Sequence, residues 1–268
     1  MLTAILRSLR TGVVTIAYPD QPARIPARFR GAPQVKAGSQ IEALPPQSVC
    51  PSGAIQGGVD RPRYSIDLAR CLYCGRCADA AIDGAIELGR QVELAARQRA
   101  SLMVEVERDT GGHAVPVPTP PPAEKVSQII QRTLGRSLHL RHLDSGSCNA
   151  CDWELTALLN PVYDVRRLGI DFVASPRHAD GVIVTGPVTR NLEVAVRRTY
   201  EAVPEPRVVI AVGACASSGG IVGRGYASAG GVSEVLPVDV FIPGCPPRPE
   251  AIIFGILLAV GRVEERRR

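Results

Sequence analysis

The chain has 268 residues, enough for one large domain or two of ordinary size, and with aromatics at 4% its core must be built mainly from Val, Leu, Ile and Ala. Its formal charge of +5 comes from 31 basic residues, of which only Lys36 and Lys125 are lysines, against 26 acids; no basic stripe interleaved with aromatics points to nucleic acid. The longest apolar run, Ala251 to Val260, falls short of the roughly 20 residues of a membrane-spanning helix, so a soluble chain is expected.

Met1 to Arg10 has neither an apolar stretch of signal length nor a small-residue cleavage site, so export is not expected and a reducing, cytoplasmic setting is. There, eight thiols are metal ligands or free in preference to a disulfide framework. Leu2 to Leu9 predicts a short amphipathic helix, followed by an extended stretch through Tyr18-Pro19 and Phe29-Arg30-Gly31. The chain then reads as irregular and turn-rich to Ile86, and Glu87 to Val106 takes on a helical pattern. Gly111 to Pro122 contains five prolines, which rules out an interior helix or a central strand. It reads as a semi-rigid linker over 111–123, with His113 in solvent, dividing the chain into domains 1–110 and 124–268.

Beyond the linker, short aliphatic runs alternate with helical patterns, which predicts an α/β fold around a largely parallel sheet. The predicted strands are Leu138–Leu143, Asp171–Ala174, Val182–Thr185, Val208–Val212 and Val240–Ile242. The predicted helices are Lys125–Leu134, Trp153–Leu159, Leu192–Ala202 and Pro249–Val260, the last apolar nearly all round and therefore buried. Arg166-Arg167, Arg197-Arg198 and the tail Arg266 to Arg268 are candidates for meeting anionic lipid or an acidic partner, or simply a solvated surface.

The cysteines fall into two sets of four. Cys71-Leu-Tyr-Cys74-Gly-Arg-Cys77 is C-x2-C-x2-C, which lets three thiolates of one short loop grip three corners of a four-iron, four-sulfur cluster; zinc more often takes paired C-x2-C knuckles. Cys50-Pro51 has the form of the fourth ligand, which in two-cluster ferredoxins comes from the other motif. Val35 to Val49 contains no cysteine, and Ala81-Ile82 stands where a Cys-Pro would follow Cys77. Both losses remove ligands of the same second cluster. Together with Gly12-Val13-Val14-Thr15, Tyr18-Pro19 and Phe29-Arg30-Gly31, these motifs make residues 1–107 resemble a bacterial-type ferredoxin domain. The likeness extends to the polyferredoxin subunits of formate hydrogenlyase-type complexes and implies an electron relay with one step removed.

Cys148, Cys151, Cys215 and Cys245 are far apart in sequence, but each follows a predicted strand. In a parallel sheet those strand exits share the edge at which α/β folds bind ligands. Glycines around Cys215 allow close backbone approach, and Pro246-Pro247-Arg248-Pro249 opens a helix whose amides can face an anionic cluster. Structural zinc and unligated buried thiols are the competing readings.

Ser147-Cys148-Asn149-Ala150-Cys151-Asp152-Trp153-Glu154, Ala174-Ser175-Pro176-Arg177, Gly213-Ala214-Cys215-Ala216-Ser217-Ser218-Gly219-Gly220 and Pro243-Gly244-Cys245-Pro246-Pro247-Arg248-Pro249-Glu250 make residues 136–262 resemble a particular family. It joins the small subunits of [NiFe] hydrogenases to the 20 kDa cluster-bearing subunit of respiratory complex I. This resemblance implies a flavodoxin-like domain with one 4Fe-4S cluster, on Cys148, Cys151, Cys215 and Cys245, next to the catalytic site of a larger partner subunit. With the small α+β ferredoxin-like domain before it, whose own resemblance implies a 4Fe-4S cluster on Cys50, Cys71, Cys74 and Cys77, two clusters are expected in the chain.

Complex I subunits carry adjacent cysteines where this chain has Cys148-x2-Cys151, read Gly-Thr at Thr185-Gly186-Pro187, and have a tyrosine-rich segment in place of Ile221 to Tyr226. These differences favour the membrane-associated, energy-converting hydrogenases. The implied role is single-electron transfer to or from a [NiFe] hydrogenase-type large subunit, without chemistry from this chain alone. The implied partners are that subunit, a further iron–sulfur or dehydrogenase subunit, and integral membrane subunits that hold the chain on the cytoplasmic face of the membrane. The alternative is the equivalent subunit of a complex I-like or hydrogenase-related complex reducing quinone or another acceptor; a non-redox scaffold with structural zinc is the reading from another class. Glu154 takes the place of a carboxylate that handles protons in the family, and as a first-turn acid it also complements a helix dipole. His139, His142 and His178 are expected in structural roles, Arg177 at an interface or in water, and Thr185 and Thr189 at the cluster edge or capping strand ends.

Overall fold

In Arg63-Tyr64-Ser65-Ile66, Tyr64 and Ile66 are buried and Arg63 is exposed, the period-two pattern of a strand with one face on a core. The computed structural model describes residues 2–57, 63–118 and 137–267; the helix predicted over Lys125–Leu134 and the linker after 118 lie outside them. In chain order the first half forms α1 (Leu2–Thr11), β1 (Pro33–Val35), β2 (Ile55–Gln56), β3 (Arg63–Asp67), α2 (Arg76–Ala80), β4 (Ile86–Leu88), β5 (Met103–Arg108) and β6 (Ala114–Pro116). β1 pairs antiparallel with β4, and β2, β3, β5 and β6 form an antiparallel sheet in that order.

Two expectations are corrected here. Glu87 to Val106 is not a helix, because its backbone groups find partners far away in sequence. Gly89 N–H donates to Ala32 O at 2.8 Å, and Ala96 exchanges hydrogen bonds with Phe241 at 3.0 and 2.8 Å. The proline-rich stretch begins as edge strand β6, where a proline costs no ladder hydrogen bond. His113 is accordingly half-buried, 2.9 Å from Gln40 Nε2 and 3.5 Å from Asp109.

The second half is β7 (Leu138–Asp144), α3 (Ala150–Ala157), β8 (Ile170–Phe172), β9 (Gly181–Thr185), α4 (Arg190–Glu201), β10 (Val208–Val212), α5 (Gly213–Ser218), β11 (Val240–Ile242) and α6 (Pro249–Arg267). The strands form one parallel sheet in the order β11-β10-β9-β7-β8, the flavodoxin-like order of a doubly wound domain. β9 and β10 are buried along their whole length because both faces are covered, which is why they read as continuous aliphatic runs. Ile183, Ile210 and Ile242 point to one face, against Ile252, Ile253 and Ile256 of α6 and Leu155 of α3. Val182, Val184, Val209 and Phe241 point to the other, whose core also takes in Ile66, Ile86 and Leu102 from the first half.

The two halves therefore share a core. Ala96 extends the sheet beside β11, and the segment after α1 runs along the loop after α3, with Ile16 N–H donating to Val162 O at 2.9 Å. Arg166 pairs with Asp171, Arg167 bonds Ile16 O and Tyr18 O, and Arg197 bonds Val235 O and Glu193, so these arginines are engaged within the chain. Among the described residues no helix is long and apolar enough to cross a membrane.

Candidate iron–sulfur sites

The first set of cysteines lines one pocket. Cys50 follows a short turn at Gln47–Val49, Cys71 lies just after β3, Cys74 in the following loop, and Cys77 on α2; Ile55 and Ile66 close the wall between them. Amides point at the sulfurs: Ala54 N–H donates to Cys50 Sγ at 3.2 Å and Tyr73 N–H to Cys71 Sγ at 3.3 Å. Burial opposes ionisation of Cys50, but hydrogen bonds from the Ser52 hydroxyl and the Ile55, Ser52 and Ala54 amides outweigh it and hold this thiol below its ordinary value. Burial, reinforced by the neighbouring Cys77, Cys50 and Cys74, pushes Cys71 up to about 12. Burial likewise raises Cys77, with Cys74 and Cys50 adding to the shift; thiols gathered so that their neighbours oppose ionisation of Cys71 and Cys77 are a place where positive charge is missing, which ligated iron supplies.

The second set stands at the C-terminal edge of the parallel sheet. Cys148 and Cys151 follow β7, with Cys151 on α3; Cys215 is on α5, after β10; Cys245 follows β11. Burial raises Cys151 well above its ordinary value, and Cys215, Cys245 and Cys148 add to the shift. Gly213 is what lets them converge. It has φ +86, and a Cβ there would lie 2.6 Å from Cys151 Sγ. All eight cysteines are free, with Cys148 and Cys245 exposed; Trp153, on the same helix as Cys151, is 72% exposed. Among the described residues no three His, Cys, Asp or Glu side chains come close enough to hold a single metal ion; a cubane takes each thiolate on a separate iron.

Sequence reasoning passed over Asp152. Its Oδ1 accepts from Thr185 Oγ1 at 2.8 Å and lies 2.9 Å from His142 Nε2, while its Oδ2 accepts from Ser147 Oγ. Asn149 N–H in turn donates to Ser147 Oγ at 2.9 Å, and Asp144 Oδ1 accepts the Gly146 and Ser147 amides at 2.9 and 2.7 Å. The loop carrying Cys148 is thus tied to β7 and β9 by two carboxylates. Asp152's place between a cysteine and Trp153 was its one sequence cue. Thr185 and His142 act through it, and burial lowers the His142 pKa against the pull of Asp152 and Asp144.

Glu154 is half-buried on α3, within electrostatic reach of Arg248 and Glu250. Burial raises its pKa; Arg248 opposes the shift and Glu250 adds to it. His139 is held by Asp180, whose Oδ2 also accepts the His139 amide at 2.9 Å. Arg177 and His178 are exposed. Thr189 N–H donates to Ser145 O at 3.0 Å at the start of α4, a strand-end role.

Residues 148–259 match the family described as NADH ubiquinone oxidoreductase, 20 Kd subunit. The chain is 45% identical over 140 residues to the probable membrane-bound hydrogenase subunit mbhJ of Pyrococcus furiosus, covering 52% of this chain and 83% of that one. It is 39% identical over 159 residues to formate hydrogenlyase subunit 7 of Escherichia coli, covering 59% and 62% respectively. With an NADH-quinone oxidoreductase subunit of Citrifermentans bemidjiense it shares 45% identity over 117 residues, covering 44% and 68%. With a five-stranded parallel sheet, cysteines gathered at its C-terminal edge and these relatives, the chain belongs to the NADH ubiquinone oxidoreductase 20 Kd subunit family.

Proposed function

We propose that the chain is the electron-transfer subunit of a membrane-associated hydrogenase complex and carries two four-iron clusters. Cys50, Cys71, Cys74 and Cys77 would hold the first and Cys148, Cys151, Cys215 and Cys245 the second. Residues 1–110, joined by edge strand Ala114–Pro116, would form the ferredoxin-like unit and 124–268 the family domain. The observation that carries this reading is the meeting of Cys148, Cys151, Cys215 and Cys245 at one sheet edge, inside the matched region. The group that fits four soft thiolates spread in this way takes up and gives back one electron at a time. The chain's own residues position it: amides solvate the Cys50 and Cys71 sulfurs, Gly213 admits Cys151, and Asp152 holds the Cys148 loop.

The open side of the second site, with Cys148, Cys245 and Trp153 exposed, is where a hydrogenase-type large subunit would sit. Membrane subunits of the same complex would keep the chain at the cytoplasmic face. Glu154, with its anionic form disfavoured by burial, is suited to exchange protons with that partner. Anaerobic purification is expected to yield about eight iron and eight acid-labile sulfide per chain; zinc without sulfide refutes the relay.

A second reading is favoured by the equal identity to an NADH-quinone oxidoreductase subunit: a partner that has lost nickel–iron and reduces quinone or another acceptor. Four metal-binding cysteines in the partner large subunit support the hydrogenase, and their absence supports the second reading.

A further inference from the structure

We propose that α1 and the two valines after it form a lipid-facing surface of this chain itself, which lies on an anionic bilayer with Leu9 and Val13 toward the acyl region and Arg7 and Arg10 at the phosphates. The inference goes beyond the hold that membrane subunits would exert, and it does not depend on what either cysteine site contains. In α1 (Leu2–Thr11), Leu2, Ile5, Leu6 and Leu9 recur at the i, i+3, i+4 and i+7 spacing of one helix face, and Thr3, Arg7, Arg10 and Thr11 fall on the other. Gly12, with φ +66 and open space where a Cβ would stand, ends the helix and turns the chain into Val13 and Val14.

Thr3, Arg7, Leu9, Arg10 and Thr11 are all exposed, Leu9 at 77%, and Val13 is 90% exposed. From Thr15 onward the chain is pinned. Thr15 Oγ1 donates to Pro161 O at 2.7 Å, Ile16 N–H to Val162 O at 2.9 Å, and the buried Tyr18 donates its hydroxyl to Glu93 at 3.0 Å. Val14 and Val162 are exposed on the two sides of this join, so the apolar surface continues from the end of α1 onto the second half. Ten residues are fewer than the about 12–15 that a helix needs to persist alone in water. An amphipathic helix of this length gains its stability from the surface that covers its apolar face.

Charge and composition select a bilayer as that surface. From Leu2 to Pro19 the charged residues are Arg7 and Arg10, and the first acid is Asp20; cations beside an apolar face complement anionic headgroups. The face itself is aliphatic, whereas the binding energy of protein interfaces concentrates in Trp, Tyr and Arg, with Leu and Val under-represented. At 1.5 Å per residue α1 is about 15 Å long, half of the roughly 30 Å hydrocarbon core, so it lies in the interface and does not cross it.

The test is co-sedimentation of the full chain, purified anaerobically, with vesicles of phosphatidylcholine mixed with phosphatidylserine and with vesicles of phosphatidylcholine alone. Binding to the mixed vesicles is expected, weaker without phosphatidylserine and weaker at high salt. Leu9→Asp with Val13→Asp should reduce it by more than about tenfold. Arg7→Gln and Arg10→Gln should each reduce it by about fivefold, with lysine at either position restoring most of the loss. Because the substituted side chains are exposed, iron content and the electron paramagnetic resonance of the reduced protein should be unchanged in every variant, which separates a lost membrane contact from a lost fold. Amide exchange over Leu2–Thr11 should slow when mixed vesicles are added. No binding of the parent chain to mixed vesicles, or equal binding by the Leu9→Asp, Val13→Asp variant, overturns the proposal. So does a variant that binds vesicles as the parent does but dissociates from its complex in detergent, since that result assigns the face to a protein subunit.

Discussion

Gly213→Ala is expected to remove the second cluster while leaving the fold and the first cluster in place. Gly213 has φ +86, and Gly223, a few residues on, has φ +67, so alanine at either position incurs the left-handed backbone cost of about 1–2 kcal/mol. There the likeness ends. A Cβ on Gly223 meets nothing within 4 Å, whereas one on Gly213 stands 2.6 Å from Cys151 Sγ. Ordinary contact needs about 3.5 Å or more, so the sulfur must retreat by about 1 Å, while metal–ligand distances tolerate about 0.2 Å. Cys151 cannot recover this by moving its helix, because Leu155 of α3 is buried against the sheet. Iron and acid-labile sulfide counts, with the resonance spectrum of the reduced protein, read the result. Gly213→Ala should keep about four iron, Gly223→Ala about eight, and the two should have similar melting temperatures once their cluster content is matched. Full iron and an unchanged second signal in Gly213→Ala would refute the reasoning.

Cys50→Ala should lose the first cluster's signal and spare the second; an unchanged spectrum would break the pairing of Cys50 with Cys71, Cys74 and Cys77. Asp152→Asn places an amide where Ser147 and Thr185 both donate, and should cost about 1–3 kcal/mol. Denaturant unfolding and faster loss of the second cluster to a chelator measure it. Glu154→Gln should leave iron content unchanged and slow proton-coupled turnover of the complex. Because the folded pKa of Glu154 is raised, the native protein loses stability as pH climbs from the ordinary carboxylate value to the raised one. The glutamine variant lacks that loss, so its melting temperature relative to the parent should rise with pH across that window. Ala96→Pro removes the donor to Phe241 O and should loosen the join between the halves, seen as faster amide exchange in β11.

The parts legible in the sequence are those whose signal is local. C-x2-C spacing brings Cys71, Cys74 and Cys77 together within one loop, and continuous aliphatic runs mark β9 and β10 because a strand covered on both faces has no polar side to display. The positions of Cys148, Cys215 and Cys245 after strands follow from the same periodicity. Other features depend on which backbone and side-chain groups meet across the chain, and no window of sequence carries that. Glu87 to Val106 has helical spacing, yet Gly89 and Ala96 direct their hydrogen bonds to Ala32 and Phe241. The prolines after Gly111 forbid a central strand but not the edge position that Ala114–Pro116 occupies. Asp152 is one acid among 26 acids until folding sets Ser147, Thr185 and His142 around it. The cavity lined by Leu72 and Tyr73 on one side and Gly244 and Cys245 on the other likewise exists only because the first half packs beside β11. Local spacing determined which thiols are ligand-like; long-range packing decided how near the two sets stand.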